Sequence, residues 1–310
     1  MENFVPFLTG ELGLDVEETV RYSWLDEGTY PDSTCPEGSA GCQIEEHAYA
    51  RKPTLLHELI HAVTYVNGMN HLSFFTEGLA VAYDPFNGAA PGPRYRIYPA
   101  EGEETRDPRD FMTGKLGVQG YDIAGSFVTF LLMRHGPEKI VSLTRRLDLE
   151  SSLQEVRAHF LEVYGVDMDD EVELYKMNGP CEDLVFEVRP YDCAMPLVPW
   201  DESAWSWSAS MVCDDDSVAG GVDPDRDVNS VRSVALVVPR TGRYVVKLDA
   251  DGDAHVTLGR CFGCPWAPAD SVLQSAEALE VELSAGAHFV RVTALAAEEP
   301  TVRVTLVPAE

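Results

Sequence analysis

The chain has 310 residues, of which 45% are hydrophobic, and this length and apolar content predict two globular domains. Its 52 Asp and Glu residues outnumber 23 Lys and Arg residues and give a formal net charge of −29 at pH 7. Such a surface repels phosphate backbones and anionic lipids, so we expect no nucleic-acid partner and no binding to a membrane surface. No apolar run approaches the length that crosses a bilayer, so we also expect no transmembrane segment.

Seven cysteines occur in the chain, several of them as close pairs in polar stretches rich in Gly and Pro: Cys35, Cys42, Cys181, Cys193, Cys213, Cys261 and Cys264. Small loops closed by disulfides are typical of exported proteins and rare in the cytosol. The N-terminal residues lack the basic start and long apolar centre of a secretory signal. We therefore expect a secreted, periplasmic or cell-surface protein whose removed export signal preceded this chain. The odd cysteine is then a free thiol, or its partner lay in the missing segment.

The first half of the chain has the helical period. Residues 2–13 form a short amphipathic segment, and the following loop contains CPEGSAGC, in which Cys35 and Cys42 predict a small loop closed by a disulfide. The next stretch, KPTLLHELIHAVTYVNG, has Pro53 in position for a first helical turn. The stretch SFFTEGLAVAYDP predicts a second helix with Ser73 as its N-cap.

The first of these two helices carries the sequence HELIH at residues 57–61. Residues four apart lie on one face of a helix, so His57 and His61 could present two imidazole nitrogens to one metal ion. Glu58 lies beside them, where it could accept a proton from water without binding the metal. The helix is otherwise apolar almost all round, and burying these three side chains without a partner would cost several kcal/mol. The pattern therefore favours a metal site over an exposed polar stripe or a hydrogen-bonded pair in the core.

Glu77, in the segment FFTEGLA of the next helix, is our candidate for a third metal ligand. A catalytic zinc ion usually has three protein ligands and an open position for water. A helix, a turn and a second helix bring Glu77 back across the first helix, and its apolar neighbours place it on a buried face. The sequence thus predicts a Zn²⁺ site formed by His57, His61 and Glu77, with Glu58 as general base.

A polar stretch from about residue 85 to 119 is too long for a simple connection, and we expect it to form part of a cleft wall. Four more helices are predicted at YDIAGSFVTFLLMRHG, PEKIVSLTRRL, SLQEVRAHFLEVYG and DMDDEVELYKMNG. Tyr121, which opens the first of them, is our candidate donor to the oxyanion of the reaction, with simple aromatic packing as an equal alternative. His47 and His71 are expected to be loop histidines, because the ligand set is complete without them.

The motifs HELIHAV and FFTEGLAVAY resemble those of the gluzincin metallopeptidases, in which two histidines and a downstream glutamate bind zinc. The stretches YDIAGSFVTFLLMRHGPEKI and VRAHFLEVYGVDMDDEVELY are similar to later helices of the peptidase-MA-like domain of bacterial proteins. The resemblance covers about residues 1–178 and implies the same three zinc ligands and the same general base. Thr76 stands where the aminopeptidase relatives have asparagine, which leaves endopeptidase and exopeptidase action open.

Near residues 179–180 the helical period gives way to alternation of apolar and polar residues. Short alternating segments separated by turn residues are typical of an antiparallel sandwich. They loosely resemble the small jelly-roll-like β-sandwiches appended to secreted bacterial peptidases, which implies an accessory domain whose partner is unknown. The predicted fold is therefore α+β in two domains: a mainly helical, zincin-like metallopeptidase domain at 1–180 and a jelly-roll-like antiparallel β-sandwich at 181–310.

Two features of the second domain have alternative interpretations. Cys261 and Cys264 form a CxxC, which we expect to close a local disulfide or to form one bridge to Cys213, since a zinc or redox site would need further elements. The acidic sequences DADGD at 249–253 and DPDRD at 223–227 suggest calcium, but the first is better explained by an Asp-Gly hairpin turn.

Taken together, these features predict a bacterial zinc metallopeptidase that hydrolyses bonds in a peptide or protein substrate. The alternative is a non-catalytic binding or surface protein that retains the metal-site scaffold and uses the β-sandwich as its binding module. Metal-dependent hydrolysis of a non-peptide amide or ester is a third interpretation, because the chemistry at the metal would be the same.

Overall fold

The chain divides into two compact units, Phe4–Phe186 and Glu187–Glu310. A computed structural model describes residues 4–15, 19–25, 35–36, 39–51, 56–69, 72–84, 107–114, 116, 118–177, 187–188, 190–201, 203–212, 214–215, 217–218, 229–263, 271–274, 278–295 and 298–309. Several predicted features lie outside these residues: most of the polar stretch at 85–106, His71, the cysteines Cys181, Cys213 and Cys264, and DPDRD at 223–227.

The first unit combines helices with one small sheet. Its elements in chain order are α1 (Phe4–Leu12), β1 (Arg21–Trp24), β2 (Gly41–Ile44), β3 (His47–Ala50), α2 (His57–Val66), α3 (Ser73–Tyr83), a short 3-10 helix (Pro108–Asp110), α4 (Val118–His135), α5 (Pro137–Thr144), α6 (Leu153–Tyr164) and α7 (Met168–Met177). The sheet has the order β1-β3-β2, with β1 parallel and β2 antiparallel to β3. Helix α2 packs against all three strands.

The predicted fold class, with a mainly helical first domain, is wrong. The small sheet precedes α2, and over the described part of the chain eight α-helices accompany thirteen strands. Each strand of this sheet has only four residues, so the sequence offers too few alternations to reveal a period of two. The parallel pairing of β1 with β3 joins Arg21 to His47, and a local pattern does not encode such a distant contact.

The starts of two helices also differ from the prediction. Helix α3 begins at Ser73 itself, and Leu72 occupies the N-cap position without a side-chain cap. Helix α4 begins at Val118, so Tyr121 lies within its first turns instead of opening it. Burial explains why α3 forms without a polar cap, because nine of its eleven residues are buried and tertiary packing stabilises it.

Helix α3 lies unusually close to α4 at Gly78. A Cβ atom at this position would lie 2.5 Å from Val128 Cγ2 and 2.7 Å from the carbonyl oxygen of Ala124. Only glycine permits this approach, because any other residue would overlap backbone atoms of α4. Glu77 directly precedes Gly78, so the same contact sets the depth at which this carboxylate enters the unit.

Substitution of Gly78 by alanine is expected to lower the free energy of unfolding by about 1–3 kcal/mol, because the added methyl group forces α3 away from α4. Gly10→Ala in α1 is the matched control, since nothing lies within 4 Å of its added Cβ. The control should be neutral or stabilising by up to ~1 kcal/mol. Urea denaturation measures both values, and equal stability of the two variants would contradict the close contact.

The second unit consists mainly of two four-stranded antiparallel sheets. Its elements are β4 (Glu187–Val188), α8 (Pro190–Ala194), β5 (Trp205–Ser210), β6 (Asn229–Val238), β7 (Gly242–Ala250), β8 (Ala254–Arg260), β9 (Phe262–Gly263), β10 (Ser271–Gln274), β11 (Ala278–Leu283), β12 (Gly286–Leu295) and β13 (Thr301–Pro308). The sheets have the orders β10-β8-β12-β6 and β11-β7-β13-β5. Alternate residues of these strands, among them Trp205 and Trp207, form one buried apolar cluster.

The sequence DADGD at 249–253 does not form the predicted hairpin. It connects β7 in one sheet to β8 in the other, so the two strands are not partners. The amide of Asp253 donates to Glu298 Oε2 at 2.7 Å, and the amide of Thr301 donates to Asp251 Oδ1 at 2.6 Å. An Asp-Gly turn encodes a reversal of the chain, but it does not encode which sheet the next strand joins.

A buried ion pair holds α8 against β6 and β12. Arg291 Nε and Nη2 lie 3.0 and 2.5 Å from the two carboxylate oxygens of Asp192, and the side chains are 2% and 1% exposed. The hydroxyl of Ser233 donates to the same carboxylate at 2.6 Å. The adjacent Cys193 forms a disulfide with Cys261, so Cys261 does not close the predicted local bridge.

The second disulfide among the described residues joins Cys35 to Cys42 at the start of β2 and confirms the predicted loop. Two disulfides fit an extracellular or periplasmic protein, because reducing compartments do not maintain them. Among the helices in the described part of the chain, none has the length and apolarity that a membrane crossing requires.

Substitution of Asp192 by alanine is expected to lower the free energy of unfolding by about 3–5 kcal/mol, because it leaves the Arg291 guanidinium buried without its counter-charge. Glu280→Ala is the control, since it removes the exposed ion pair with Arg243 and should cost at most about 1 kcal/mol. Urea denaturation under oxidising conditions compares the two variants. If Asp192→Ala lowered the free energy of unfolding by no more than the control does, the ion pair between Asp192 and Arg291 would not be buried in solution.

Candidate metal centre

Two helices bring two imidazoles and one carboxylate to a single point. His57 and His61 lie one turn apart on α2, and their Nε2 atoms are 3.2 Å apart. Glu77 extends from α3 so that its Oε2 lies 3.0 Å from each of these nitrogens. These three atoms form a group that could bind a metal ion. The structure therefore brings together the three side chains that the sequence singles out as ligands.

The centre is partly buried and still open to solvent. The side chains of His57, His61 and Glu77 are 14%, 10% and 21% exposed, respectively. Burial of this degree lowers the local dielectric and strengthens the attraction between the carboxylate and any cation. The remaining exposure means that part of each of these side chains still contacts solvent.

The three side chains perturb one another's protonation. Burial by itself would raise the pKa of Glu77, but hydrogen bonds with His57 and His61 outweigh it and hold that pKa far below its usual value. Burial by itself would lower the pKa of His57, but its contact with Glu77 and the nearby carboxylates of Glu58 and Asp84 raise it. The carboxylate of Glu77 is therefore ionised at neutral pH and attracts positive charge, either a proton on an imidazole or a metal ion.

Glu58 lies next to the three ligand atoms without being one of them. Burial raises the pKa of its carboxyl group, and Glu77 adds to this effect, while His57 and His61 oppose it. A carboxyl group with a raised pKa exchanges protons more readily near neutral pH than an exposed one. This environment is compatible with the predicted general base.

Tyr121 approaches the centre from α4. Its ring centroid lies 6.3 Å from that of His57. Burial, the carboxylates of Glu77 and Glu58, and a hydrogen bond to Glu77 raise the pKa of its hydroxyl group. The phenol therefore stays protonated at neutral pH and is a hydrogen-bond donor beside the ligand atoms.

Tyr22 on β1 faces the centre, and the sequence did not reveal it. Its register partner is Ala48, which is completely buried on the side of the sheet that faces α2. Burial and the carboxylates of Asp84 and Glu58 raise the pKa of the Tyr22 hydroxyl. Strand β1 has only four residues, so its sequence shows no recognisable alternation. Helix α2 begins more than thirty residues later, and no local pattern relates the two elements.

Asp84 was also missed, although the sequence contains a signal for it. It directly follows α3, is 0% exposed, and lies seven residues after Glu77. Seven residues correspond to two helical turns, so the two carboxylates project from one side of the helix. The negative charge of Asp84 helps to raise the pKa of both His57 and Tyr22.

His47 lies apart from the centre. Its Nε2 is 2.7 Å from the hydroxyl of Ser23, and its ring stacks on Tyr49 with a centroid distance of 4.1 Å. Because neighbouring strand residues alternate in direction, His47 points away from the face that the buried Ala48 and Ala50 share. It lies on strand β3 instead of in a loop and takes no part in the group of ligand atoms.

No protein-family model and no curated protein sequence matches the chain. Among solved structures, it is similar to the pre-peptidase C-terminal domain of a collagenase from Bacillus anthracis, at 7% identity over 36% of this chain and 93% of that chain, with a TM-score of 0.26. It is also similar to PliG, a periplasmic inhibitor of g-type lysozyme from Aeromonas hydrophila, at 13% identity over 37% and 97% of the two chains, with a TM-score of 0.26. Structural similarity at this level does not indicate the function of this chain.

Replacement of His61 by alanine is expected to weaken metal binding by on the order of 100-fold or more, because even residues that only support a ligand commonly change affinity by 10–100-fold. Glu77→Ala should have a similar effect. His47→Ala is the matched control and should bind as the native protein does. Competition with a chromophoric zinc chelator measures the affinities, and unchanged affinity in His61→Ala would show that the metal binds elsewhere.

Proposed function

We propose that this chain is a zinc-dependent hydrolase of peptide bonds, with zinc bound by His57, His61 and Glu77. The observation that carries the proposal is the meeting of three ligand atoms within 3.2 Å, beside a partly buried carboxyl group and a phenol. Hydrolysis needs an activated water, a proton carrier and a donor to the oxyanion. This arrangement contains a candidate for each.

The donor set and its spacing fit zinc. Two ligand atoms about 2.0–2.1 Å from a tetrahedral zinc ion are roughly 3.3–3.4 Å apart. The separations of 3.0 and 3.2 Å among His57, His61 and Glu77 differ from this value by a few tenths of an ångström. Two imidazoles with one carboxylate are a ligand set of catalytic zinc sites, in which a fourth position stays open. When bound, Zn²⁺ would act as a Lewis acid that activates water and polarises the substrate carbonyl.

Glu58 is the proposed proton carrier. In the mechanism its carboxylate takes a proton from the attacking water and then delivers it to the leaving amine. The raised pKa that burial causes suits both steps, since the group must accept a proton and release it again near neutral pH. Its position one residue after His57 keeps it beside the reacting atoms but outside the ligand set.

Tyr121 is the proposed donor to the developing oxyanion. Its hydroxyl carries a proton at neutral pH and lies beside the ligand atoms, where it donates to Glu77. A modest rotation of the side chain would redirect this hydrogen bond to the oxygen of an attacked carbonyl. The resemblance of HELIH and EGLA to gluzincin motifs supports peptide hydrolysis at the level of the motifs alone.

Glu58→Gln is expected to retain zinc and to lose at least about 100-fold in kcat towards a casein substrate, because an amide cannot accept the proton of water. Glu282→Gln on β11 is the matched control, since it makes the same chemical change at an exposed position of the second unit. Elemental analysis reports zinc and a fluorogenic casein assay reports cleavage. A native protein that binds zinc but cleaves no peptide, amide or ester would favour a binding protein instead.

Tyr121→Phe is expected to lower kcat about 10–1000-fold with little change in KM, because the donated hydrogen bond strengthens only in the transition state. Tyr65→Phe is its control, as Tyr65 lies on α2 with its side chain exposed to solvent. Steady-state kinetics on one peptide substrate separates the two parameters. Native kcat in Tyr121→Phe would remove this residue from the mechanism and leave the zinc site intact.

A further inference from the structure

A groove of about 310 Å³ lies in the first unit between the end of α1 and one face of α5. The buried side chains of Leu12 and Val141 give it apolar walls, and Ser142 contributes a hydroxyl group between its ends. Pockets for small ligands have volumes from about 300 Å³ upwards, so the groove is large enough for a small molecule. None of the residues that line it belongs to the metal centre.

The residues of α5 that line the groove form one stripe with Arg145, which directly follows the helix. Glu138, Val141, Ser142 and Arg145 are spaced at i, i+3, i+4 and i+7, which is one face of a helix. At a rise of 1.5 Å per residue, Glu138 and Arg145 are separated by about 10.5 Å along the helix axis. The stripe therefore places an acid at one end of the groove and a base at the other.

The basic end has two guanidinium groups with spare hydrogen-bonding capacity. Arg145 Nε donates to the carbonyl oxygen of Asn67 at 3.1 Å, and Arg146 Nη1 contacts Glu162 Oε2 at 2.8 Å. Each guanidinium carries five N–H donors, and these two contacts use one apiece. The geometry of the remaining donors matches a carboxylate, which arginine often binds through two parallel hydrogen bonds.

The acidic end is formed by one carboxylate. Glu138 lines the groove and is exposed in the first turn of α5. A carboxylate at one end of a groove attracts an ammonium group and repels an anion.

We propose that this groove binds a short, unblocked peptide of about three residues. Its ammonium terminus would lie at Glu138 and its carboxylate at Arg145 and Arg146, with an apolar side chain against Leu12 and Val141. An extended chain spans 3.3–3.6 Å per residue, so three residues cover the separation of the charges. The inference does not depend on the proposed hydrolase activity, because the groove is separate from the metal centre.

The charges at both ends select against other ligands. A dicarboxylate long enough to span the groove would place negative charge at Glu138, and a diamine of that length would place positive charge at the two arginines. An uncharged apolar molecule would leave both ends without partners and would gain only from the contact with Leu12 and Val141. A zwitterion with about 10 Å between its charges is complementary to both ends.

Isothermal titration of the Glu58→Gln variant of this chain with the peptide Ala-Leu-Ala tests the proposal, since this substitution is expected to prevent hydrolysis during the measurement. One site per chain is expected. Acetylation of the amine or amidation of the carboxylate should each weaken binding about tenfold, because each change removes one hydrogen bond to a charged group. Equal binding of the blocked and unblocked peptides, or no binding of either, would overturn the proposal.

Further substitutions in the Glu58→Gln variant test whether the peptide binds in this groove. Ser142→Phe should fill the groove and Arg145→Gln should remove a carboxylate partner, so each should weaken binding about tenfold or more. Arg243→Gln, which makes the same change at an exposed position on β7, should leave binding unchanged. His61→Ala should also bind the peptide normally, and loss of binding in that variant alone would place the peptide at the metal centre instead. Thermal melting shows whether each variant is folded. If Ser142→Phe does not fold, Arg145→Gln alone tests the position of the site.

Discussion

The candidate metal centre depends on one steric constraint, which is the close contact between α3 and α4 at Gly78. Because this contact has no room for a side chain, α3 lies deep in the unit, and Glu77 meets the two imidazoles of α2. Three polar atoms within 3.2 Å of one another, partly removed from water, require a shared proton or a cation. Helix packing thus creates an electrostatic arrangement that a metal ion or a proton would stabilise.

The surroundings of this candidate centre add further titratable groups beside the ligand atoms. Glu58 and Tyr121 supply a carboxyl group and a phenol whose pKa values are both raised, chiefly by burial. Tyr22 and Asp84 add a second phenol and a buried carboxylate on the side of the small sheet. A catalytic metal site usually relies on such outer groups to orient its ligands and to control protonation.

The second unit is organised by two adjacent residues on a very short helix. Asp192 anchors α8 through the buried Arg291, and Cys193 anchors it through a disulfide to Cys261. A helix of five residues is not stable by itself, so these two tertiary links account for its presence. A buried ion pair can determine where an element packs even when it adds little net stability. We infer that the pair between Asp192 and Arg291 has this role for α8.

Several features of the fold could be predicted from local pattern, and others could not. The helical period located all seven α-helices that the structure describes in the first unit, because each has enough turns to display an apolar face. The strands β1 to β3 were missed because four residues are too short for a recognisable alternation. The bridge from Cys193 to Cys261 was missed because its two cysteines are 68 residues apart and no local spacing relates them.

The sequence alone determined which side chains could meet at the metal centre on α2, since the spacing of His57 and His61 follows from the period of a helix. Only the tertiary structure decided that Glu77 reaches them, because that depends on how closely α3 packs and not on any local period. It also decided that β7 and β8 join different sheets and that Tyr22 and Asp84 lie beside the centre. The physical reason is the same in each case: local periodicity fixes the direction of a side chain within its own element, whereas contacts between distant elements depend on packing across the whole unit.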